Sequence, residues 1–294
     1  MTRDRYVEGE STPVVGFVGL GAVGKPMALR LADWPGGLGV FDLAPEPLAE
    51  LAAAGARVAG SVAELAAAVD VLCVMVRDDE QVRSVVDEIL ESARPGLIVA
   101  VHSTVAPHTP AALAELALDA DVQVVDAPVS GGAMGAAAGT LAIMVGGSEE
   151  AYAACAGPFA RLGTRVVRAG PTGAGTRMKL ARNLLHFVSF TAVTEAQRLA
   201  EAAGLDLVEL GAVVRHTDAI TGGPGAIMHR DSTAPLAADD FWFGIFDHVR
   251  ALGEKDLSFA VALAEELEVE VPLARLALDR LAPGLGLPTT EEKR

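Results

Sequence analysis

The stretch VVGFVGLGAVGKPMALRLAD, residues 14–33, decides the fold. Its first residues are an apolar run of the kind that forms a strand buried on both faces. GLGAVG, residues 19–24, follows directly, and PMALRLAD then takes up a helical pattern. Strand, G-x-G-x-x-G and helix in that order put glycines where a tight turn brings backbone N–H groups to a helix N-terminus. Gly19, Leu20, Gly21, Ala22, Val23 and Gly24 are therefore the candidate cradle for a dinucleotide pyrophosphate. An ordinary glycine-rich turn has the same letters, so the surroundings must decide.

The next strand, GLGVFDL, ends on Asp42, at the spacing of a carboxylate that hydrogen-bonds an adenosine ribose. Its charge repels a ribose 2′-phosphate, and Leu43 and Ala44 offer no guanidinium to hold one, so the expected cofactor is NAD in preference to NADP. A turn or cap residue ahead of Pro45 is the other reading of Asp42. Further apolar runs VDVLCVMV, GLIVAVHS, DVQVVDAPV, LAIMVGG and TRVVRAG read as strands, separated by helical segments such as PEPLAELAAAG, SVAELAAA, TPAALAELALD and EEAYAACAGPFARL. Strand alternating with helix predicts an α/β fold, a Rossmann-type doubly wound, mostly parallel sheet.

After Gly175 the strand pattern stops. Thr176 to Ala203 reads as one long helix closed by Gly204, with LVELGAVVRH, DHVRALGEKDLSFAVALAEELE and PLARLALDRL as later helices and TGGPGAIMHRDSTAP as a loop. The expected organisation is a flexible tail over residues 1–12, an NAD-binding domain over 13–174 and an all-α substrate and dimerisation domain over 175–294, joined by the long interdomain helix.

With 294 residues the chain has room for two cores, and 51% hydrophobic residues against 4% aromatic ones suit close helix packing. A net charge of −16 argues against nucleic acid or an anionic membrane surface as partner. MTRDRYVEGESTP lacks the apolar run of a signal peptide, and no stretch has the length and continuity of a membrane span, which predicts a cytoplasmic protein. Cys73 and Cys155 sit in apolar surroundings and read as buried thiols; no metal-ligand spacing is found.

GAGTRMKLARNLLHF, residues 173–187, carries Lys179, Arg182, Asn183 and His186 at i, i+3, i+4 and i+7, one face of a helix. A solvated face has this pattern, and so does a catalytic one, in which a lysine of lowered proton affinity moves a proton and the nearby Arg182 supplies the charge that lowers it. His186, among Leu184, Leu185 and Phe187, reads as a packed residue. In DAPVSGGAMGAAAGTLAIMVGG, residues 126–147, Ser130, Gly131 and Gly132 offer a hydroxyl and successive N–H groups to a carboxylate, unless they form only a flexible turn.

Taken together, GFVGLGAVGKPMA, HSTVAP at residues 102–107, DAPVSGGAMGAAAGTLAIMVGG, the G-x-G-x-x-x-K run from Gly173 and KDL at 255–257 resemble the β-hydroxyacid dehydrogenases, in that family's order and over nearly the whole chain. The group includes 3-hydroxyisobutyrate dehydrogenase and tartronate semialdehyde reductase and is related to 6-phosphogluconate dehydrogenase. The resemblance implies reversible oxidation of a small β-hydroxyacid, with Lys179 as acid/base, Ser130, Gly131 and Gly132 on the substrate carboxylate and Asn183 on its hydroxyl. It further implies cofactor contacts from Thr104, from Val76 and Arg77 through the backbone, and from Lys255, together with a homodimer or homotetramer.

One departure concerns the substrate: where the family reads K-x-x-N-N this chain reads KLARN, so Arg182 either binds a second carboxylate or turns into an ion pair. His248 falls where relatives carry a pocket phenylalanine. An imine reductase-like enzyme and a non-catalytic NAD(P)-binding interaction module share the architecture, and the retained Lys179 speaks against both.

Overall fold

A computed structural model describes residues 12–288, so all but Thr12 of the expected N-terminal tail lies outside the described residues. Nine strands, β1 (Val15–Val18), β2 (Leu38–Phe41), β3 (Arg57–Val58), β4 (Val71–Val74), β5 (Ile98–Val101), β6 (Gln123–Asp126), β7 (Val129–Ser130), β8 (Leu141–Gly146) and β9 (Gly163–Gly170), form one sheet. In the order β3-β2-β1-β4-β5-β6 every pair is parallel. β8 then joins β6 antiparallel and pairs with β7 antiparallel and β9 parallel.

Strand periodicity sorts the apolar runs into two cores. Val15, Phe17, Val71, Cys73, Ile98, Ala100 and Val125 face one side, where they meet Met27 and Ala28 of α1 (Gly24–Leu29), Leu51 of α2 (Pro45–Ala53), and Cys155 and Phe159, which belong to the helix at Glu149–Leu162. Val18, Leu72, Val74, Val99, Val101 and Val124 face the other, against Leu65 of α3 (Val62–Ala66), Val82, Val86 and Ile89 of α4 (Asp79–Leu90), and Leu113 of α5 (Thr109–Ala117). Both faces are covered, which is why the strands read as continuous apolar runs instead of alternating ones. Cys73 and Cys155 are buried free thiols in the first core.

Two helices depart from the expected pattern. DEQVRSVVDEIL forms α4, its apolar positions 82, 86 and 89 spaced for one buried face and its start capped by the Asp78 carboxylate, which accepts from Gln81 N. GAMGAAA, which the sequence pattern does not single out as a helix, winds into α6 (Gly132–Ala138), between Gly131 and Gly139, both at positive φ. The helix at Glu149–Leu162 is α7, and α8 (Ala174–Ala202) follows β9.

The chain divides into two units, one ending at Arg182 and the other beginning at Asn183, so α8 runs through the division. The second unit holds the rest of α8, α9 (Leu207–Thr221), α10 (Phe241–Glu266) and α11 (Pro272–Gly284), and among the described residues no strand follows β9. α10 starts six residues before the expected DHVRAL segment, capped by Asp240. Within this unit the buried Glu195 of α8 accepts from Leu273 N and Ala274 N at the start of α11, while Leu236, Phe246, Leu285 and Leu287 make a small core. No described helix is long and apolar enough to cross a membrane.

In the first unit, the start of α8 is fixed by Asp126, the last residue of β6, which is 1% exposed. Its carboxylate accepts from Gly173 N and Thr176 N, each at 2.6 Å. The approach is possible only without side chains: a Cβ on Gly175 would lie 2.1 Å from Met144 O, and one on Gly146 2.3 Å from Asp126 Oδ1. Burial raises the Asp126 pKa, against the two N–H groups that lower it. Stability thus declines as pH climbs from the ordinary aspartate range through the raised value, because the folded state holds its proton more tightly than the unfolded one. Asp126→Asn leaves one N–H facing an amide NH₂, and is expected to cost about 1–3 kcal/mol in urea unfolding while removing that pH dependence.

Candidate active site

The glycine loop is built as its sequence requires. Gly19 sits at φ +90°, and a Cβ there would lie 2.3 Å from Met75 O; a Cβ on Gly24 would lie 1.9 Å from Gly19 O. A Cβ on Gly21, by contrast, would meet nothing within 4 Å. The first glycine therefore makes the turn, the third lets α1 close onto β1, and the second leaves the outer side of the loop open beside the exposed Ala22. Leu20 is buried and anchors the loop, with Val23 at the N-cap of α1.

Asp42 joins this loop to the neighbouring turn: one carboxylate oxygen accepts from Leu20 N and the other from Ala44 N at 2.8 Å. It is thus a turn residue, and at the same time a brace on the glycine loop. A carboxylate accepts about four hydrogen bonds, and two are used, so acceptor positions remain for ribose hydroxyls. An open loop with a fixed carboxylate at its mouth fits the adenosine and pyrophosphate portion of a dinucleotide.

At the ends of β4 and β5 the Ser103 hydroxyl accepts from Val76 N at 2.9 Å and donates to Val76 O at 2.7 Å. Arg77 N donates to Gln81 Oε1, and its side chain pairs with Asp78. The Val76 and Arg77 N–H groups are therefore engaged within the chain. Thr104, next to the Ser103 clamp, is exposed.

Lys179 lies about a turn and a half into α8 and is 7% exposed. Its Nζ donates to Val129 O at 2.6 Å and to Ser130 Oγ at 2.8 Å, both on β7. Ser130 leads into Gly131 and Gly132, at φ +133° and +62°, exposed at the start of α6. Burial, then the Arg182 charge one turn on, lowers the Lys179 pKa from 10.5 to about 8. In the neutral amine both N–H bonds point at these two acceptors, so the lone pair has one direction left. In the ammonium form the third proton occupies that direction.

The first unit thus brings Lys179, Arg182 and Ser130 together with Gly131 and Gly132. Asn183 and Lys255 belong to the second unit, where Lys255 Nζ lies 3.0 Å from Asp256 and 6.0 Å from the Phe259 ring centroid. His186 packs against the rings of Phe187 and Phe190, and His248 lies on α10. Sequence reasoning missed Asp126 and the Val129 carbonyl; a carboxylate ending an apolar strand beside a glycine cluster was the available signal for the first. Among the described residues no group of His, Cys, Asp and Glu is arranged to hold a metal.

A dinucleotide-type glycine loop on a doubly wound sheet, with a buried lysine of lowered proton affinity in the same unit, defines a nicotinamide-dependent oxidoreductase. The family model for the NAD-binding domain of 6-phosphogluconate dehydrogenase matches residues 14–170, and the model for the NAD-binding region of NADP-dependent 3-hydroxyisobutyrate dehydrogenase matches residues 173–284. The chain belongs to the β-hydroxyacid dehydrogenase family, NAD(P)-binding oxidoreductases that act on CH–OH groups.

An uncharacterised oxidoreductase of Mycobacterium tuberculosis is 54% identical over 94% of this chain and 95% of its own length. A crystal structure of a Mycobacterium avium oxidoreductase matches with TM-score 0.92 and 53% identity, covering 94% of this chain and all of that one. The structure of M. tuberculosis 3-hydroxyisobutyrate dehydrogenase with L-serine matches with TM-score 0.66 and 30% identity over 92% of this chain and 93% of that one.

The electrostatics of Lys179 can be read without turnover. In a lysine-selective NMR titration one ε-amine is expected to titrate near pH 8 and to vanish in Lys179→Ala. In Arg182→Asn its midpoint moves up, since a positive neighbour has been removed.

Proposed function

We propose that this protein is an NAD-linked dehydrogenase that reversibly oxidises a small β-hydroxyacid of the 3-hydroxyisobutyrate type to its semialdehyde or keto acid. The observation that carries this is the buried Lys179, held on Val129 O and Ser130 Oγ with a pKa of about 8. A nicotinamide cofactor, when bound, supplies the hydride acceptor. Gly19, Leu20, Gly21, Ala22, Val23 and Gly24 would hold its pyrophosphate, Asp42 its adenosine ribose, and Val76, Arg77, Thr104 and Lys255 its nicotinamide side. The carboxylate at Asp42, braced by Leu20 N and Ala44 N, disfavours a 2′-phosphate and supports NAD over NADP.

The remaining work falls to side chains of this protein. Ser130 and the N–H groups at Gly131 and Gly132 bind the substrate carboxylate, Asn183 hydrogen-bonds the reacting hydroxyl, and Arg182 receives a second anionic group where the substrate has one. Neutral Lys179 takes the hydroxyl proton through its remaining lone pair, and the ammonium returns it in the reverse direction. The sign follows: oxidation rises with pH through a midpoint near 8 because it needs the free amine, and reduction falls over the same range because it needs the ammonium.

Turnover is tested on 3-hydroxyisobutyrate, 3-hydroxypropionate, glycerate, serine and dicarboxylic analogues, with NAD and with NADP. One of them is expected to turn over with NAD preferred, and Lys179→Ala is expected to lose roughly 10²- to 10⁴-fold in kcat with NAD affinity nearly intact. Full activity in Lys179→Ala, or turnover of imines alone, would overturn the assignment.

We also propose a homodimer or homotetramer assembled through the helical unit. Phe187, Phe190, Val208, Ile220, Phe241 and Phe259 are among its exposed apolar side chains, while its buried cluster among the described residues is formed by Leu236, Phe246, Leu285 and Leu287. Sedimentation at micromolar concentration is expected to give a multiple of 30.2 kDa, and a monomer would sink the idea.

A further inference from the structure

His102 follows β5 and is 1% exposed, yet nothing in the proposed reaction uses it. Its ring stacks on Phe17 (centroids 6.3 Å apart, planes at 9°) and meets Phe159 edge-on at 5.2 Å. Nδ1 lies 2.8 Å from Ala127 O. A carbonyl only accepts, so Nδ1 carries the proton, and Nε2 is left as a buried acceptor with no hydrogen-bond partner among the described residues. Burial drives the pKa down to about 4, so the ring is neutral at any working pH. An apolar side chain would fill this aromatic slot without leaving Nε2 unpaired, so the imidazole's contribution must lie in the bond from Nδ1.

Ala127 is the residue at which β6 bends toward β7. Its N–H donates to Val101 O, and two residues on come Val129 and Ser130, the acceptors of the Lys179 amine. On its other side stands Asp126, which holds the start of α8. The next residue after His102 is Ser103, whose hydroxyl clamps Val76. The segment that presents both acceptors to Lys179 is held by Ala127 N on Val101 O, by Met144 N on Pro128 O and by pairing with β8, and the imidazole N–H from the neighbouring strand end supplies the side-chain contact at Ala127 O.

We propose that His102 is a positioning residue that fixes the β6–β7 connection through Ala127 O and so sets the direction and the burial of the Lys179 amine. The groups that face the Lys179 amine are the Ser130 hydroxyl and Val129 carbonyl from β7 and the Arg182 charge from its own helix. Loss of the bond to Ala127 loosens the first two, and with them the burial that lowers the proton affinity of the amine, and leaves the third in place.

This inference rests on the reading of Lys179 as acid/base, and the test separates the two. His102→Phe keeps the ring and its stacking but deletes the donor, whereas His102→Asn places an amide N–H near the position of Nδ1. His102→Phe is expected to lose roughly tenfold to a hundredfold in kcat with little change in KM for NAD. The midpoint of its pH–rate profile is expected to leave the neighbourhood of pH 8, and His102→Asn to bring it back. An unchanged midpoint and kcat in His102→Phe, with Lys179→Ala inactive, would overturn the role of His102 alone. Activity in Lys179→Ala would overturn the reading beneath it. Should His102→Phe fail to fold, ¹⁵N NMR of the wild-type imidazole still decides: a protonated Nδ1 and bare Nε2 support the proposal, and the opposite tautomer refutes it.

Discussion

The N–H groups of Gly173 and Thr176 end on the carboxylate of Asp126, and the position of α8 follows from that contact. The N-terminus of a helix carries unpaired donors and a partial positive charge, so a carboxylate there is electrostatically well placed even when buried. Asp126 differs from a local cap in belonging to β6, forty-seven residues before Gly173. A cap from within the helix would stabilise α8 wherever it lay. A cap from the sheet stabilises it in one place only, and Gly146 and Gly175 remove the side chains that would keep the two apart.

Lys179 inherits its setting from that anchor. About a turn and a half along a helix whose start is fixed, its stem is buried and its amine meets Val129 O and Ser130 Oγ. Those two acceptors serve amine and ammonium alike, so they aim the group more than they choose its charge state. Burial and the Arg182 guanidinium choose it, and both favour the neutral form. A group that is strongly held yet close to losing its proton suits one that must both take and return a proton.

Much of this was legible in the sequence because it depends on short-range geometry. The roles of Gly19, Gly21 and Gly24 follow from a strand, a turn and a helix within about a dozen residues, and the spacing of Lys179 and Arg182 from helix phase alone. What escaped involves partners distant in sequence or patterns diluted by charge. DEQVRSVVDEIL buries only positions 82, 86 and 89, so its polar letters hide a regular helix. GAMGAAA gives no helical signal because glycine disfavours helix, yet α6 forms between two glycines at positive φ. The contacts of Asp126 with α8 and of His102 with Ala127 join elements that only the topology brings together.

Glu195 repeats the device of Asp126 in the second unit: a buried carboxylate from one element receives the first N–H groups of another, here Leu273 and Ala274 of α11. In each case a residue far away in the chain supplies the cap, so each helix is fixed to a neighbour within its own unit. The consequence for chemistry is a division of parts. Lys179, both of its acceptors, the charge that lowers its pKa and the glycine segment beside it all belong to the first unit, whereas Asn183 and Lys255 belong to the second. The buried amine and the groups that set its direction and proton affinity therefore lie within the one unit that carries the glycine loop. Arg182 and Asn183, adjacent residues of α8, fall one in each unit.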